Sequence, residues 1–347
     1  MRLPRVAIIS PNPANQAGGV ERVCLLLSEV LASRGWQVDI VGPGRWPTQW
    51  EFRLGLSYPM MSWSATHAAR LLEPDLIVSN GYLGVGGFRG APRVHLYHGT
   101  TAGAMKATSY AQPRREVLRR TVSAGAAEAI AARGAAKVIC VSQATADEVR
   151  HYYRASTDAV IANAVDTSVF APRPQKDARA RLGLTKGPRY VLFVGRLEHG
   201  KGGDVAVEAA RRAGYELLVA GAMGAPGVQH LGVLSPDELS DAYAAADCVV
   251  LPSLYEACSL VVLEALACER PLLTTRVGWM NSFLKAVPEY DTLCVESSVE
   301  DLTAHLLDLS DLVTKRLTSM ARDFVLRHNS LECYSESWRK LLEDIEL

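Results

Sequence analysis

Residues 254–268 (LYEACSLVVLEALAC) place two glutamates, Glu256 and Glu264, eight positions apart. Glu264 stands inside the apolar run 260–267, where a carboxylate either faces a narrow wet strip of a buried helix or is held by specific partners. If the run is helical, the two glutamates differ in height by about 12 Å along the helix axis. The spacing suits two acidic contacts to one ligand. It equally suits a buried helix that carries one solvated glutamate after an acidic loop.

A glycine-rich basic loop, GRLEHGKGG at 195–203, follows the apolar run YVLFV. It nearly matches the phosphate-binding P-loop, but Gly202 follows Lys201 where that motif needs a Ser or Thr to bind magnesium. The loop still suits a diphosphate, because glycine amides, a helix N-terminus and the charges of Arg196 and Lys201 all favour an anion. A P-loop NTPase and a plain basic surface loop are the alternatives.

Two shorter motifs stand at the ends of predicted strands. Gly18 and Gly19 follow the first apolar run, where glycines allow a ligand to approach the backbone or simply serve the turn. His98 precedes Gly99 at the end of another run, and it is either a site residue or an ordinary packing histidine. His95 and His98 fall on opposite faces of that strand, and no Asp-x-Asp pair occurs, so no metal site is predicted.

Composition narrows the class of protein. With 347 residues, 48% of them hydrophobic and 21% charged, the chain has the profile of a globular protein of two domains. Its 37 basic and 37 acidic residues balance, so nucleic acid is not an expected partner. No apolar run reaches the length of a membrane span. The seven cysteines are scattered and form no C-x-x-C pair, which predicts a reducing, cytoplasmic location.

Short β-rich runs alternate with longer helical ones, a rhythm that predicts parallel sheets covered on both faces by helices. In the first half, strands are predicted at 5–9, 38–41, 76–78, 94–97 and 138–141, and helices at 20–35, 114–133 and 142–152. In the second half, strands are predicted at 190–194, 216–219, 248–251 and 271–274, and helices from 202, at 235–246 and at 259–268.

The proline-rich segment 163–174 lacks any periodicity and is the predicted linker between the halves. We therefore predict two doubly wound domains, residues 1–168 and 169–330. The last helix, 331–347, is amphipathic and is a candidate to pack back on the first domain.

Six motifs together make the chain resemble the family 4 glycosyltransferases, which are retaining enzymes that use nucleotide sugars and have the GT-B fold. The motifs are GGVER at 18–22, HG at 98–99, VICVS at 138–142, NAVDTSVF at 163–170, VGRLEHGKG at 194–202 and EACSLVVLEA at 256–265. The resemblance implies two Rossmann-like domains facing across a cleft. Residues 1–168 would form the acceptor side, and 169–330 would bind the nucleoside-diphosphate sugar.

The resemblance also assigns roles in donor binding. Arg196 and Lys201 would hold the diphosphate, and Glu264 would bind the ribose hydroxyls. Glu256, with the backbone amides that follow it, would face the donor sugar. The remaining donor-binding positions of this half are Gly195, Ala257, Cys258, Ser259 and Leu260.

In the first half, the resemblance implies that Gly18 and Gly19 approach the diphosphate. His98 would lie beside the sugar near the reacting centre, and Asn163 would belong to the hinge between the domains. The residues predicted to be catalytic are His98, Arg196, Lys201 and Glu256.

One segment departs from the family pattern. Such proteins commonly carry a Gly-Gly turn and then an acidic residue after the strand at 271–274, whereas this chain has VGWMNSF at 277–283. The contact normally made by that loop is therefore not carried over. Cys258 is also smaller than the aromatic residue often found at its position.

The implied mechanism is electrostatic. Arg196 and Lys201 would stabilise the charge that grows on the leaving diphosphate without a metal ion, and no cofactor is expected beyond the nucleotide sugar, which is a co-substrate. Attack from the same face, with retention, follows from the resemblance alone. A module that binds the nucleotide sugar without catalysis remains an alternative.

The acceptor is not identified by the sequence and could be a small molecule, a glycan or a lipid-linked saccharide. An arginine cluster on the helix 114–133 suggests weak peripheral contact with anionic lipid, or else a solvated charge run. The aromatic segment 46–63 is a candidate wall for the acceptor, or part of the core. The members of the cluster are Arg114, Arg115, Arg119 and Arg120.

Overall fold

A computed structural model of the chain describes residues 2–12, 18–44, 57–86, 91–111, 113–309 and 311–345. The chain forms two compact units, which divide at the start of the proline-rich segment. The first contains Met1–Ala162 together with Ser335–Leu347, and the second contains Asn163–Tyr334. Each is built on one parallel sheet, which confirms the predicted α/β class with two Rossmann-like domains.

The sheet of the first unit has six described strands. They are β1 (Arg5–Ile9), β2 (Gln37–Val41), β3 (Leu76–Asn80), β4 (Arg93–Tyr97), β5 (Lys137–Cys140) and β6 (Ala159–Val160). All pair in parallel, in the order β2-β1-β3-β4-β5-β6. Every residue of β3 and β4 is buried, as expected for strands covered on both faces.

The described helices of the first unit connect these strands. They are α1 (Gly19–Ser33), α2 (Ser57–Arg70), α3 (Thr101–Thr108), α4 (Arg114–Ala132) and α5 (Gln143–Glu148). Helix α1 buries Val23, Leu27 and Leu31, which recur every four residues on one face. A 3₁₀ turn, Ser109–Ala111, follows α3.

One prediction for this unit needs correction, and α2, α3 and β6 were not predicted. The predicted helix 142–152 is α-helical only as far as Glu148, and a π-helical turn, Val149–Tyr153, completes it. That wider turn brings the buried Tyr153 hydroxyl against the Glu128 carboxylate, to which it donates a hydrogen bond. No helix was predicted at 57–70, yet α2 occupies it.

The aromatic segment 46–63 falls partly outside the described residues, which resume at Ser57. Tyr58 is half-buried and packs edge-to-face on Tyr82. Trp63 is 65% exposed and stacks on His67. The described part of the segment therefore has one face on the protein and one in solvent.

The sheet of the second unit has five described strands. They are β7 (Tyr190–Val194), β8 (Glu216–Ala220), β9 (Gln229–Gly232), β10 (Cys248–Leu251) and β11 (Leu272–Thr274). Their order is β11-β10-β7-β8-β9, again all parallel. Strands β7 and β10 begin and end at the predicted residues.

Seven described helices lie in the second unit. They are α6 (Gln175–Arg181), α7 (Gly203–Ala213), α8 (Pro236–Ala245), α9 (Leu260–Ala267), α10 (Met280–Ala286), α11 (Val299–Leu307) and α12 (Asp311–His328). Helix α8 starts at a capping box, in which the Ser235 and Glu238 side chains bond each other's backbone amides. Short 3₁₀ turns occupy His199–Lys201 and Pro288–Leu293.

The last helix, α13 (Leu331–Glu343), crosses the boundary between the units. Within the first unit, Arg34 Nε donates to Ser335 Oγ at 2.8 Å, and Lys137 Nζ lies 3.8 Å from the Asp344 carboxylate. Trp338 is fully buried.

None of the helices in the described ranges combines a membrane-spanning length with sufficiently apolar residues.

Strand order locates the sites that such sheets offer to ligands. In the first unit the connections reverse direction between β1 and β3, and in the second between β7 and β10. Open α/β sheets bind ligands beyond the carboxyl ends of the strands at these reversal points. The segments to inspect are therefore those that follow β1, β3 and β4 in one unit, and β7 and β10 in the other.

Candidate active site

The basic loop between β7 and α7 has a shape that only glycine permits at its end. Gly202 has φ +68°, and a Cβ built there would lie 2.4 Å from the Pro252 carbonyl oxygen. A Ser or Thr at this position would therefore need both a left-handed backbone and a shift of the neighbouring segment. The backbone of this chain therefore does not accommodate the Ser or Thr that a P-loop carries at this position, which disfavours the P-loop NTPase alternative.

Lys201 and Glu256, which lie 55 positions apart, meet in this unit. Lys201 Nζ donates to Glu256 Oε1 at 2.6 Å, and Ser253 Oγ donates to the same oxygen at 2.9 Å. The two segments are also joined by their backbones, because Leu254 N donates to Gly200 O at 3.1 Å. The predicted diphosphate and sugar contacts are thus neighbours at the reversal point of the sheet.

Arg196 lies on the same loop but remains far more exposed. Its side chain is 70% accessible and pairs with Glu198, Nη2 to Oε1, at 3.0 Å. A surface pair of this kind is weak and costs little to break. Arg196 can therefore turn toward an anion.

The loop Glu256–Ser259 is held from two sides through its carbonyl groups. Trp279 N donates to Ala257 O at 2.8 Å, and Asn163 Nδ2 donates to Cys258 O at 2.7 Å. Gly278 has φ +55°, and a Cβ there would lie 2.1 Å from Glu256 O. The divergent segment 277–283 thus supports the loop from beneath instead of supplying an acidic side chain.

Ser259 caps helix α9 with an extended backbone, so the predicted helix 259–268 is one residue shorter at each end. The free amides of the first turn, near Leu260, carry the positive end of the helix dipole. Burial raises the pKa of the Cys258 thiol to about 12, which keeps it neutral. A small cavity beside this turn is lined by Glu256, Ser259, Val262, Thr274, Val277, Trp279 and Met280.

Glu264 is held by a specific partner instead of facing a strip of solvent. Its side chain is 1% exposed, and Tyr243 on α8 donates its hydroxyl hydrogen to Oε2 at 2.8 Å. Tyr243 itself is fully buried. The sequence left two placements open for Glu264, and the structure shows the one in which a specific partner holds a buried carboxylate.

Gly18 and Gly19 begin helix α1 in the first unit. Gly18 is its N-cap residue, with φ −79°, and a Cβ at Gly19 would meet nothing within 4 Å. The described chain therefore does not itself require glycine at position 19. Residues 13–17 of the preceding loop lie outside the described ranges.

His98 follows β4 and is half-buried, and its Nε2 lies 2.8 Å from Asn80 Oδ1 at the end of β3. Desolvation lowers the pKa of His98 to about 4. His95 is instead fully buried and bonds Ser79 Oγ through Nδ1 at 2.8 Å. The two histidines thus bond neighbouring residues of β3, His95 with Ser79 and His98 with Asn80.

A buried glutamate that was not singled out from the sequence fixes the backbone after His98. Glu128 accepts hydrogen bonds from Thr101 N at 2.9 Å and from Thr101 Oγ1 at 2.6 Å. Burial raises the pKa of Glu128. Gly99 supplies the required turn with φ +130°. A signal for Glu128 existed, since it is an acidic residue in the alanine-rich half of helix α4.

The arginine cluster on α4 contains two arginines that pair with a glutamate and two that are exposed. Glu116 pairs with Arg119 at 2.8 Å and with Arg120 at 3.5 Å. Arg114 and Arg115 are exposed, as are the apolar side chains Leu118 and Val122 further along the helix. In the described ranges, no group of three or more His, Cys, Asp or Glu residues converges as a metal site would.

Two Rossmann-like units, each built on one parallel sheet, define the class of a GT-B protein. The family model "Glycosyltransferase Family 4" matches residues 17–169, and "Glycosyl transferases group 1" matches residues 174–321. These two ranges together span most of the chain. The protein therefore belongs to the family 4 glycosyltransferases, as the motifs predicted.

Curated relatives agree with this family. The D-inositol 3-phosphate glycosyltransferase of Segniliparus rotundus is 32% identical over 215 residues, which are 54% of this chain and 46% of that protein. The protein of the same name from Arthrobacter sp. (strain FB24) is 35% identical over 173 residues, 43% of this chain and 41% of its own length. The matched part thus spans less than half of these relatives.

Solved structures agree on the fold. Sucrose-phosphate synthase from Thermosynechococcus elongatus has a TM-score of 0.80 at 24% identity, covering 98% of both chains. HepE of Anabaena, in complex with UDP and glucose, has a TM-score of 0.72 at 15% identity, covering 99% of this chain and 100% of that one. At these identities the likeness concerns the fold alone.

Proposed function

We propose that this chain is a retaining glycosyltransferase that moves a sugar from a nucleoside-diphosphate sugar to a hydroxyl of an acceptor. The observation that carries the proposal is the meeting of Lys201 with Glu256 at the reversal point of the second sheet, with Arg196 on the same loop. This arrangement puts fixed cations beside a carboxylate, at the edge where such sheets bind ligands.

The second unit would supply most of the affinity for the nucleotide. Arg196 and Lys201 would bind the diphosphate. Glu264 would accept hydrogen bonds from the ribose hydroxyls, either in place of its hydrogen bond from Tyr243 or in addition to it. Glu256 would then face the sugar, and the first amides of α9 would complete the donor site. The first unit would provide His98 beside the sugar and the surface for the acceptor.

Catalysis would come mainly from charge stabilisation. As the bond between the anomeric carbon and the diphosphate breaks, negative charge grows on the leaving phosphate, where Arg196 and Lys201 stabilise it. The sugar becomes oxocarbenium-like, the acceptor hydroxyl oxygen bonds to the anomeric carbon, and the hydroxyl proton passes to the leaving phosphate oxygen. Attack from the face that the leaving group vacates preserves the anomeric configuration, as the family assignment implies.

A donor screen tests this function directly. UDP-, GDP-, ADP- and dTDP-sugars would be incubated with the purified chain, and slow donor hydrolysis would be followed without any acceptor. UDP-sugars come first, because HepE, a structural neighbour, is described in complex with UDP and glucose. We expect turnover of one nucleotide class, with loss in Lys201→Ala. Binding without turnover would favour a non-catalytic module, and magnesium-dependent ATP hydrolysis that requires Lys201 would favour an NTPase.

The exposed face of α4 supports a peripheral contact with anionic lipid on the acceptor side. Arg114 and Arg115 lie at its start, and Leu118 and Val122 follow at four-residue steps on the same exposed stripe. Cations beside exposed apolar side chains suit the interface of an anionic bilayer. Sedimentation with vesicles containing phosphatidylserine tests it. We expect the chain to sediment with these vesicles but not with vesicles of pure phosphatidylcholine, and we expect Leu118→Ser with Val122→Ser to abolish that binding. A wild-type chain that sediments with neither kind of vesicle would contradict the membrane contact.

A further inference from the structure

Asn80 joins three elements at the reversal point of the first sheet. It is the last residue of β3 and is 2% exposed. Its amide nitrogen donates to Ile9 O at the end of β1, at 2.7 Å, and to Cys24 Sγ on α1, at 3.4 Å. Its amide oxygen faces His98 Nε2 at 2.8 Å.

These contacts fix the orientation of the amide. A backbone carbonyl only accepts hydrogen bonds, so the Asn80 NH₂ group must point to Ile9 O. The oxygen that remains for His98 is therefore an acceptor, and Nε2 of His98 must carry a proton to bond it. The ring is neutral at pH 7, since burial lowers its pKa to about 4, and its other nitrogen, Nδ1, then has a free lone pair.

We propose that Asn80 is a positioning residue that holds His98 as the Nε2–H tautomer, so that Nδ1 accepts a hydrogen bond from a hydroxyl group of the donor sugar. Among the described residues the ring makes one hydrogen bond, through Nε2, and it is half-buried, so Nδ1 is available to a ligand. The inference concerns the sugar and therefore rests on the proposed function. It makes Nδ1 of His98 a hydrogen-bond acceptor, because the one proton of the neutral ring is on Nε2 and is donated to Asn80.

Neighbouring groups leave this assignment intact. The Cys24 thiol has its pKa raised to about 12 by burial, and burial with the charge of Arg93 lowers the pKa of His95, so both are neutral at pH 7. Burial also raises the pKa of Tyr82 and of Glu128. Glu21 on α1 acts on Cys24, and Arg93 on β4 acts on His95, whereas the pKa of His98 itself is lowered by burial alone.

Nitrogen NMR of the full chain labelled with ¹⁵N-histidine tests the tautomer without any variant of Asn80 and without a donor. The difference spectrum against His98→Gln assigns the ring among the eight histidines. We expect a protonated Nε2 and an unprotonated Nδ1 from pH 8 to pH 5. An Nδ1–H tautomer, or an imidazolium at pH 7, would overturn the proposal.

Two variants test the role of Asn80. Asn80→Asp keeps an acceptor for Nε2–H but adds a negative charge, so the pH at which His98 becomes doubly protonated should rise by at least about one unit. Asn80→Ala should lose the single tautomer and lower kcat about tenfold or more, with much less effect on the Kd for UDP, because most of the proposed nucleotide contacts lie in the other unit. An unshifted His98 titration in Asn80→Asp, or an unchanged kcat in Asn80→Ala, would refute it.

Failure of the proposed function would look different. If UDP, GDP, ADP and dTDP all failed to bind the wild-type chain by calorimetry, the donor assignment would be wrong whatever the histidine spectrum showed. If a nucleotide bound and turnover occurred while His98 carried its proton on Nδ1, only the role of Asn80 would be wrong.

Discussion

Replacing Glu256 with glutamine separates nucleotide binding from sugar transfer. The Lys201 ammonium pairs with the Glu256 carboxylate at 2.6 Å. A diphosphate that uses the same ammonium must approach that carboxylate. Glu256→Gln removes the competing charge and leaves a side chain of nearly the same size, so the diphosphate should bind more tightly.

The size of the effect follows from Coulomb's law. Two like unit charges about 4 Å apart repel by about 4 kcal/mol at an effective dielectric constant near 20. Lys201 is 35% exposed and Glu256 is 13% exposed, so solvent screens part of this repulsion. A remaining gain of about 1.4 kcal/mol corresponds to a tenfold lower Kd. Sugar transfer should fall in the same variant, because the carboxylate proposed to face the sugar is gone.

Calorimetry with UDP, or with the diphosphate that the donor screen identifies, measures the first effect. The gain should shrink as salt rises from about 0.05 to 0.5 M, since screening weakens the repulsion being removed. Glu208→Gln is the matched control, because Glu208 pairs with Arg211 and Arg212 on α7, away from the loop. Equal or weaker diphosphate binding by Glu256→Gln at low salt would refute the shared use of Lys201.

Further expectations concern single groups. Lys201→Ala should reduce transfer at least about a hundredfold, and wild-type turnover would reject the diphosphate assignment. Glu264→Gln should weaken nucleotide binding by about tenfold or more, as expected for losing a charged acceptor, whereas unchanged affinity would make Glu264 a packing residue only. Gly278→Ala should lower the free energy of unfolding by more than about 1 kcal/mol, and clearly more than Gly227→Ala, where no neighbour lies within 4 Å. Activity should survive excess EDTA, and loss on chelation that magnesium or manganese restores would contradict metal independence. The product should keep the donor's anomeric configuration by NMR, and an inverted product would contradict retention.

The fold was largely predictable because it follows from hydrophobic patterning. Runs such as YVLFV and CVVL are apolar on both faces, so they had to be central parallel strands, and β7 and β10 begin and end as predicted. Polar or short elements could not be predicted from hydrophobic patterning. Strand β9 has exposed residues at its start, and helix α2 mixes serines with aromatic residues, so neither has a clear period.

The contacts of the site could be predicted only as far as the family motifs reach. Lys201 and Glu256 are 55 positions apart, and only the strand order, with β10 beside β7, brings them together. Tyr243 and Asn80 offered no motif, yet they hold Glu264 and His98. Such partners depend on how helices and strands pack in space, which local sequence periodicity does not encode. The roles of these residues toward a donor stay predictions.

The support beneath the loop Glu256–Ser259 has a consequence for altering donor choice. Gly202 and Gly278 each bring one backbone against another with no room for a methyl group, and the carbonyls of Ala257 and Cys258 are both taken by donors. The main chain there is tightly packed and hydrogen-bonded, so partly exposed side chains other than Glu256 can be replaced without displacing it. Directed evolution toward a new sugar should therefore accumulate changes at Ser259 and Val277, which are half-buried and line the cavity, and variant libraries should leave both glycines unchanged.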